Sequence, residues 1–396
     1  MTANAPGWQP WRIGLYFAAY FAGVGVLAPY FPLYLEHRGL TAAQIGIVMA
    51  VAQGMRIFGP TAWGWLADRA ADRVRILQFT AAAAAVCFIP VFFPGGFGHL
   101  LLTMFAVHFF LTGQIPIIEA MTATRLRGDP QAARTYGRLR VWGSSSFVLT
   151  VLATGFLLDG VGVAIHPWAV MLFFTATAGV AHVVHDAPYA PHVDAPVSVR
   201  GLFAQPRVRW FFLSVLLMIF AHGALYTYFS LHLAALGYSN AAIGVFWVLG
   251  VVFEIGFFLV QGRVFARFDP FALLGASFAL AALRFALIAE AAQLVLLLVL
   301  AQMLHAATFA VHHSASILMI QRWFHGRATA RGQALYVSIG YGLGGTGGSL
   351  MAAWLWTTLG ASAAFLSGSI AALLGWFAVR RAREHDASLR ARHAGI

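Results

Sequence analysis

The sequence predicts an all-α membrane protein: twelve transmembrane helices in two pseudo-symmetric bundles of six. Three observations predict it. The 396 residues are 60% hydrophobic and only 10% charged, with mean hydropathy +0.77. Most basic residues fall in alternate loops, the central linker and the two ends. A stretch near residue 30 recurs without a gap 198 positions later. A soluble domain carries about 25% charged residues, and no water-soluble fold of this size hides so much apolar surface.

Apolar segments fall at 12–34, 42–66, 76–94, 99–123, 137–158, 167–184, 208–234, 241–262, 271–289, 293–320, 332–356 and 360–379. Each approaches the roughly 20 residues that cross a bilayer as a helix. Residues 186–207 interrupt the series with Pro188, Pro191, Pro196 and Pro206. That divides the chain into a first bundle (1–185), a cytoplasmic linker (186–207) and a second bundle (208–396). The first apolar run has no cleavage-site pattern after it and reads as a retained helix.

All 25 basic residues are arginine. The even-numbered loops, the linker and the two ends hold Arg69, Arg73, Arg75, Arg125, Arg127, Arg134, Arg263, Arg267, Arg322, Arg327, Arg380 and Arg381 among others. The odd-numbered loops hold only Arg38. Positive charge stays cytoplasmic. Both termini are therefore expected in the cytoplasm, with the chain in the cell inner membrane. The same distribution argues against a nucleic-acid partner despite the net charge of +12, because the arginines flank apolar runs instead of forming one basic face. Cys87 is the single cysteine, which excludes an intrachain disulfide and a cysteine metal site.

The repeat pairs residues 30–69 with 228–267. Tyr30, Phe31, Leu33, Leu35, Gly39, Ile45, Gly46 and Arg69 find identical partners at Tyr228, Phe229, Leu231, Leu233, Gly237, Ile243, Gly244 and Arg267. Parallel repeats joined by a central linker build one transporter architecture, with its site near mid-membrane.

The segment Gly64-Trp65-Leu66-Ala67-Asp68-Arg69 resembles the G-x-L-A-D-R loop signature of the major facilitator superfamily. Its downstream glycine is Ala71 here, followed by Asp72, Arg73 and Arg75. In the second half Gly262 and Arg267 remain, but Ala266 replaces the acid. The resemblance implies a major facilitator fold with Gly64, Asp68 and Arg69 in a gating loop. Tyr136-Gly137-Arg138-Leu139-Arg140-Val141-Trp142-Gly143-Ser144, Ala221-His222, Leu249-Gly250-Val251-Val252-Phe253-Glu254 and Gln302-Met303-Leu304-His305-Ala306-Ala307-Thr308-Phe309 resemble segments of the phenylpropionate permease family. That narrower resemblance implies a proton-coupled permease for small solutes, with aromatic carboxylates as the namesake cargo. It does not fix the cargo.

Ionisable residues inside spans are the next signal, because each charge at a helix centre costs roughly 2.5–3.5 kcal/mol on insertion scales. Arg56 and Glu254 occupy equivalent positions of the repeat. They read either as contacts that break and reform during alternating access or as fixed ion pairs. Glu119 and Arg140 sit at similar depth in the fourth and fifth spans. Arg140 suits two-pronged binding of a carboxylate, and Glu119 suits a proton carrier. The competing reading is a structural salt bridge. Pro116-Ile117-Ile118-Glu119-Ala120 resembles a family segment with Asp at the acid position. Arg284, in the ninth span, reads as an anion ligand or as a structural partner.

Histidines add a polar stripe. His305, Thr308, His312 and Ser316 share one face of the tenth span, with His313 at its edge. His222 lies mid-depth in the seventh span between Met218 and Tyr226; His108, Thr112 and Glu119 line the fourth; Tyr16, Tyr20, Gly23 and Tyr30 line the first. Spans one, four, seven and ten line the central cavity of facilitators, so the resemblance places these residues there. Histidine titrates near neutral pH and suits a proton relay, although a single buried one is more often a neutral hydrogen-bonded residue. Met218 and His222 have no second Met or Cys beside them, so no metal site is expected. Glycines at 340, 342, 344, 345, 347 and 348, and Gly143 with Ser144, Ser145 and Ser146, permit close helix approach.

The expected function is secondary active uptake of a small organic carboxylate with protons, by alternating access. The expected partners are a small-molecule substrate, protons and the bilayer, with no cofactor and a monomeric chain. No G-x-x-x-x-G-K-[ST] sequence supplies nucleotide hydrolysis. Proton-coupled sugar or nucleoside symport and drug–proton antiport remain open on the same fold. An intramembrane enzyme lacks a G-x-S-x-G or H-E-x-x-H signature, and a non-transporting sensor would leave the buried charges structural.

Overall fold

The computed structural model describes residues 9–70, 72–186 and 199–393. Among them every element is helical. Lipid offers no partner for backbone polar groups, and a helix satisfies them within one segment. Eleven helical stretches are long and apolar enough to cross a membrane. Ten come first: α1 (Pro10–His37), α2 (Ala42–Arg69), α3 (Arg73–Phe92), α4 (Phe97–Arg125), α5 (Arg134–Val161), α6 (Val163–Ala181), α7 (Pro206–Ala235), α8 (Asn240–Arg267), α9 (Pro270–Ala291) and α10 (Val295–Trp323). The region expected as the eleventh span differs. There α11 runs through Arg327–Leu335, Tyr336–Gly344 and Gly345–Leu359, the middle piece π-helical, and its glycines keep it less apolar than the rest. The final stretch is α12 (Ala361–Ala391). Ala71 and most of the expected linker, residues 187–198, lie outside the described residues; Arg200–Phe203 forms a short helix before α7.

Local signals fix the helix starts. Thr41 accepts a hydrogen bond from Gln44 N while Gln44 Oε1 accepts one from Thr41 N, a reciprocal cap on α2. The carboxylate of Asp159 does the same for α8, accepting from the backbone N–H of Asn240 (2.8 Å) and Ala241 (2.9 Å). The matched glycines of the repeat have a physical reason. Gly39 and Gly237, just past α1 and α7, have φ of +79° and +86°, a left-handed conformation that ends a helix and suits glycine.

Packing divides the chain into two units. Unit 1 comprises Met1–Leu40, Phe58–Asp194 and Ser239–Val245. In it α1 packs against α5 and α6, and α3 against α4 and α6. Ile13, Phe17, Leu77, Ile117, Met121 and Leu139 form part of its core. The hydroxyl of Tyr30 donates to Val151 O (2.8 Å) and to Asn240 O (3.3 Å). Near the end of α6, Asp186 holds the buried Arg73 through Nε at 2.6 Å and Nη2 at 2.9 Å.

Unit 2 comprises Thr41–Ile57, Ala195–Tyr238 and Phe246–Ile396. In it α12 packs against α9 and α7, and Ala42–Gly54 lies along Gly345–Leu359. The Tyr228 hydroxyl donates to Ala42 O at 2.6 Å. Tyr228 and Ala42 are the repeat equivalents of Tyr30 and Asn240, so each unit makes the same tyrosine-to-helix-start contact. Toward the end of α12, Asp386 is 2% exposed and accepts from Arg207 Nη1 (2.7 Å), Arg390 Nη2 (2.5 Å) and Trp323 Nε1 (3.2 Å).

Candidate functional site

The deepest polar cluster lies in unit 2 and begins where α7 is interrupted. Its helix stops at Ala221 and restarts at Gly223, leaving His222 at the junction. Gly223 is the reason this junction packs: a Cβ there would fall against the main chain of Gly348 and Ser349 in α11. His222 is wholly buried, and its Nδ1 lies 2.8 Å from Met218 O. A carbonyl only accepts, so Nδ1 carries the hydrogen and the neutral ring presents the Nε2 lone pair to its other neighbours.

Those neighbours are Arg284 and Thr308. Arg284, on α9, is 0% exposed. Its Nη1 donates to His222 Nε2 at 3.3 Å and to Thr308 Oγ1 at 3.1 Å. Nε donates to Ala301 O at 2.9 Å, and Nη2 to Gln302 Oε1 at 3.4 Å. Every one of these acceptors is neutral. A guanidinium in a low-dielectric interior interacts strongly with any charge that arrives nearby.

A titratable pair, His305 with Glu254, adjoins this cluster. His305 Nε2 lies 3.7 Å from Glu254 Oε2, with side-chain exposures of 11% and 19%. Gly250, one turn before Glu254, admits the ring: a Cβ there would stand 3.2 Å from His305 Cδ2. The His305 ring sits 6.2 Å from that of His222 and stacks on Phe309 at 5.3 Å. Between His305 and His312 the helix becomes π-helical over Ala306–Val311. Such segments widen the turn and are frequent at functional sites. The expected stripe of His305, Thr308, His312 and Ser316 is buried along its whole length.

Tyr226 stacks beside His222 at 5.7 Å and faces Trp247 at 6.5 Å. Arg56 lies over the Tyr341 ring at 5.3 Å, at a short 3₁₀ turn (Met55–Ile57) that interrupts α2. His313 Nδ1 meets the Tyr336 hydroxyl at 3.1 Å. Thus Arg56, His222, Tyr226, Glu254, Arg284, His305, His312 and His313 all belong to unit 2.

The other expected residues belong to unit 1. Glu119 and Arg140 do meet, Nη1 to Oε1 at 3.5 Å, and are 40% and 37% exposed. Tyr136 donates to the same Glu119 oxygen at 3.2 Å. The Arg140 guanidinium lies over Phe21 (4.9 Å) and Phe17 (5.3 Å), and Tyr20 packs edge-on against Phe21 at 5.2 Å. His108 Nδ1 bonds back to Met104 O at 2.9 Å, one turn up its own helix. Gly64, Asp68 and Arg69 lie on the last turns of the second half of α2, Arg69 over the Trp65 ring at 4.2 Å.

Sequence reasoning did not select Gln302, Tyr336, Tyr341 or Trp247. The two tyrosines are five residues apart in a π-helical stretch, a spacing that a search at 3.6 residues per turn passes over. Gln302 stood in a quoted motif, but nothing in the sequence pointed it at Arg284. Among the described residues no group of three or more His, Cys, Asp or Glu is arranged to hold a metal ion.

Comparison with known proteins gives the same architecture a family. The chain is 28% identical over 342 residues to a protein described as "Probable 3-phenylpropionic acid transporter" of Escherichia coli (strain K12), covering 83% of this chain and 86% of that protein. It is 25% identical to the maltose permease of Geobacillus stearothermophilus over 91% of each chain. Its fold matches a mutant form of the nucleoside transporter NupG with TM-score 0.83 at 15% identity, covering 94% of this chain and 99% of that one. The POT family transporter PepTSo matches with TM-score 0.78 at 11% identity, over 96% and 99%. The model of the MFS_1 like family matches residues 11–367. With that match across nearly its whole length and many apolar helices, the chain belongs to the MFS_1 like family and is a multi-pass membrane transporter.

Proposed function

We propose that this transporter takes up a small organic carboxylate, aromatic in kind, together with protons, by alternating access. It works as a monomer of twelve spans in the cell inner membrane, residues 186–207 linking its halves and both termini in the cytoplasm. The observation that carries the proton part is the Glu254–His305 pair, 3.7 Å apart, beside a buried Arg284 whose acceptors are all neutral. A proton arriving on that pair changes the charge next to an unscreened guanidinium. The wide π turn of Ala306–Val311 lets α10 respond by changing register.

Arg140 takes the cargo. Its contact with Glu119 is long and half-exposed, so a carboxylate offering two oxygens to the guanidinium fork displaces it. Phe21 and Tyr20 then supply an apolar wall for the ring. The name of the E. coli relative supports this cargo class. The likeness to a maltose permease favours a second reading, proton-coupled sugar uptake, in which Arg140 is dispensable.

Uptake into proteoliposomes under an imposed pH gradient separates the two, using 3-phenylpropionate, maltose and a nucleoside. Acid-driven accumulation of the carboxylate, lost in Arg140→Ala and impaired in Arg140→Lys, supports the proposal. Accumulation that survives a protonophore ends the symport claim. Maltose uptake by Arg140→Ala at the wild-type rate selects the second reading.

A further inference from the structure

The polar stripe of α10 continues past the Arg284 cluster. Four and eight residues beyond Thr308, His312 and Ser316 are 1% and 0% exposed. His312 Nε2 and Ser316 Oγ have no hydrogen-bond partner among the described residues. Phe278 of α9 meets the His312 ring at 5.5 Å and 83°, an apolar contact that satisfies neither polar atom. Buried polar atoms are almost always paired, and where the protein offers no partner an internal water does. The two side chains sit one turn apart on the face that already carries His305 and Thr308, and they lie on the Trp323 side of it.

We infer that His312 and Ser316 hold internal water, forming a wet branch that runs from the Arg284–His222–Thr308 cluster toward the Trp323 end of α10. Its entrance is Thr308 Oγ1, 3.4 Å from His222 Nε2. The titratable groups that face His312 are His222 of α7 and His313 of its own helix; Arg284 of α9 stands behind His222, and Glu254 of α8 behind His305. His313 is engaged by Tyr336 and stands outside the branch. Resting on the proton-coupled reading above, the branch is the route by which the proton leaves. The His312 ring relays it between waters, and the Ser316 hydroxyl orients the next water without changing its own charge.

The test is radiolytic hydroxyl-radical footprinting of the full chain in lipid nanodiscs. Water held against a buried side chain generates radicals on the spot. His312 should be oxidised on the order of ten times faster than Phe211, which is equally buried among aromatic rings. Equal rates overturn the wet branch. Ser316→Ala removes the hydroxyl with the least change in volume. It should slow His312 oxidation and slow acid-driven 3-phenylpropionate uptake about tenfold, while exchange at equal pH stays within about twofold. Unchanged acid-driven uptake in Ser316→Ala overturns the proton role. A wild-type protein that moves no 3-phenylpropionate defeats the functional reading instead, and the footprint alone then decides whether the branch is wet.

Discussion

Gly223→Ala is the smallest change that tests how the site is held. The added Cβ would stand 2.5 Å from Ser349 N and 2.6 Å from Gly348 Cα, with the Gly348 carbonyl carbon nearer still. All three are main-chain atoms of α11, so no side chain can swing away. Ordinary contact needs about 3.5–4 Å, so the two backbones must part by roughly 1 Å. Overpacking on this scale costs about 1–3 kcal/mol. The damage reaches the site, because His222 is the preceding residue and holds Arg284 at 3.3 Å and Thr308 at 3.4 Å. Both contacts are already near the limit of a hydrogen bond, and a shift of about 1 Å breaks them. The assay is thermal unfolding of the purified protein beside gradient-driven uptake. Gly256→Ala is the control: its Cβ meets nothing within 4 Å, and helix propensity alone favours alanine by about 1 kcal/mol. Gly223→Ala should melt below the wild type and lose on the order of tenfold or more in uptake. If it melts at or above the wild type with uptake intact, the backbone contact does not position His222.

Arg284→Lys should keep the charge and lose transport, because an ammonium cannot span Ala301, Gln302, Thr308 and His222 at once. Its thermal unfolding should report a loss of about 2–4 kcal/mol, from hydrogen bonds to a charged group worth about 1.5–3 kcal/mol each, partly replaced. Tyr228→Phe and Tyr30→Phe should each cost about 1 kcal/mol in the same melt, the net worth of one buried hydroxyl bond. Asp386→Asn should lower stability by about 3–5 kcal/mol, since it unpairs the mostly buried Arg207. Glu384→Gln, which loosens only exposed contacts to Arg380 and Arg381, should change it by less than about 1 kcal/mol.

Hydropathy, arginine placement and the repeat made most of the helical architecture legible, because each reflects an average over many residues. The stripe on α10 was legible for the same reason: its four polar positions hold one face despite the π segment. The pairing of Glu119 with Arg140 followed from depth alone. What escaped were single-residue events. The stop at His222 is set by a glycine whose role appears only against Gly348, far along the chain. The 3₁₀ turn at Met55–Ile57 is bracketed by Gly54, Gly59 and Pro60, breakers that an averaged hydropathy reading passes over. Tyr336 and Tyr341 fall on a helix whose period is not the one a sequence reader assumes. Glycine cuts two ways in α11: it lowers the hydropathy of the region expected as the eleventh span, yet its missing side chain lets α11 approach the main chain of α7 at Gly344 and Gly348.

The second helix has a consequence for anyone who would cut this protein in two. Its opening residues, Thr41–Ile57, fold with the later part of the chain, while Ser239–Val245 fold with the earlier part. Severing the chain between α6 and α7 would therefore strand each of these pieces on a fragment that lacks its packing partners. Fragments made separately should be trapped by quality control, and only their joint synthesis should yield a protein that survives purification.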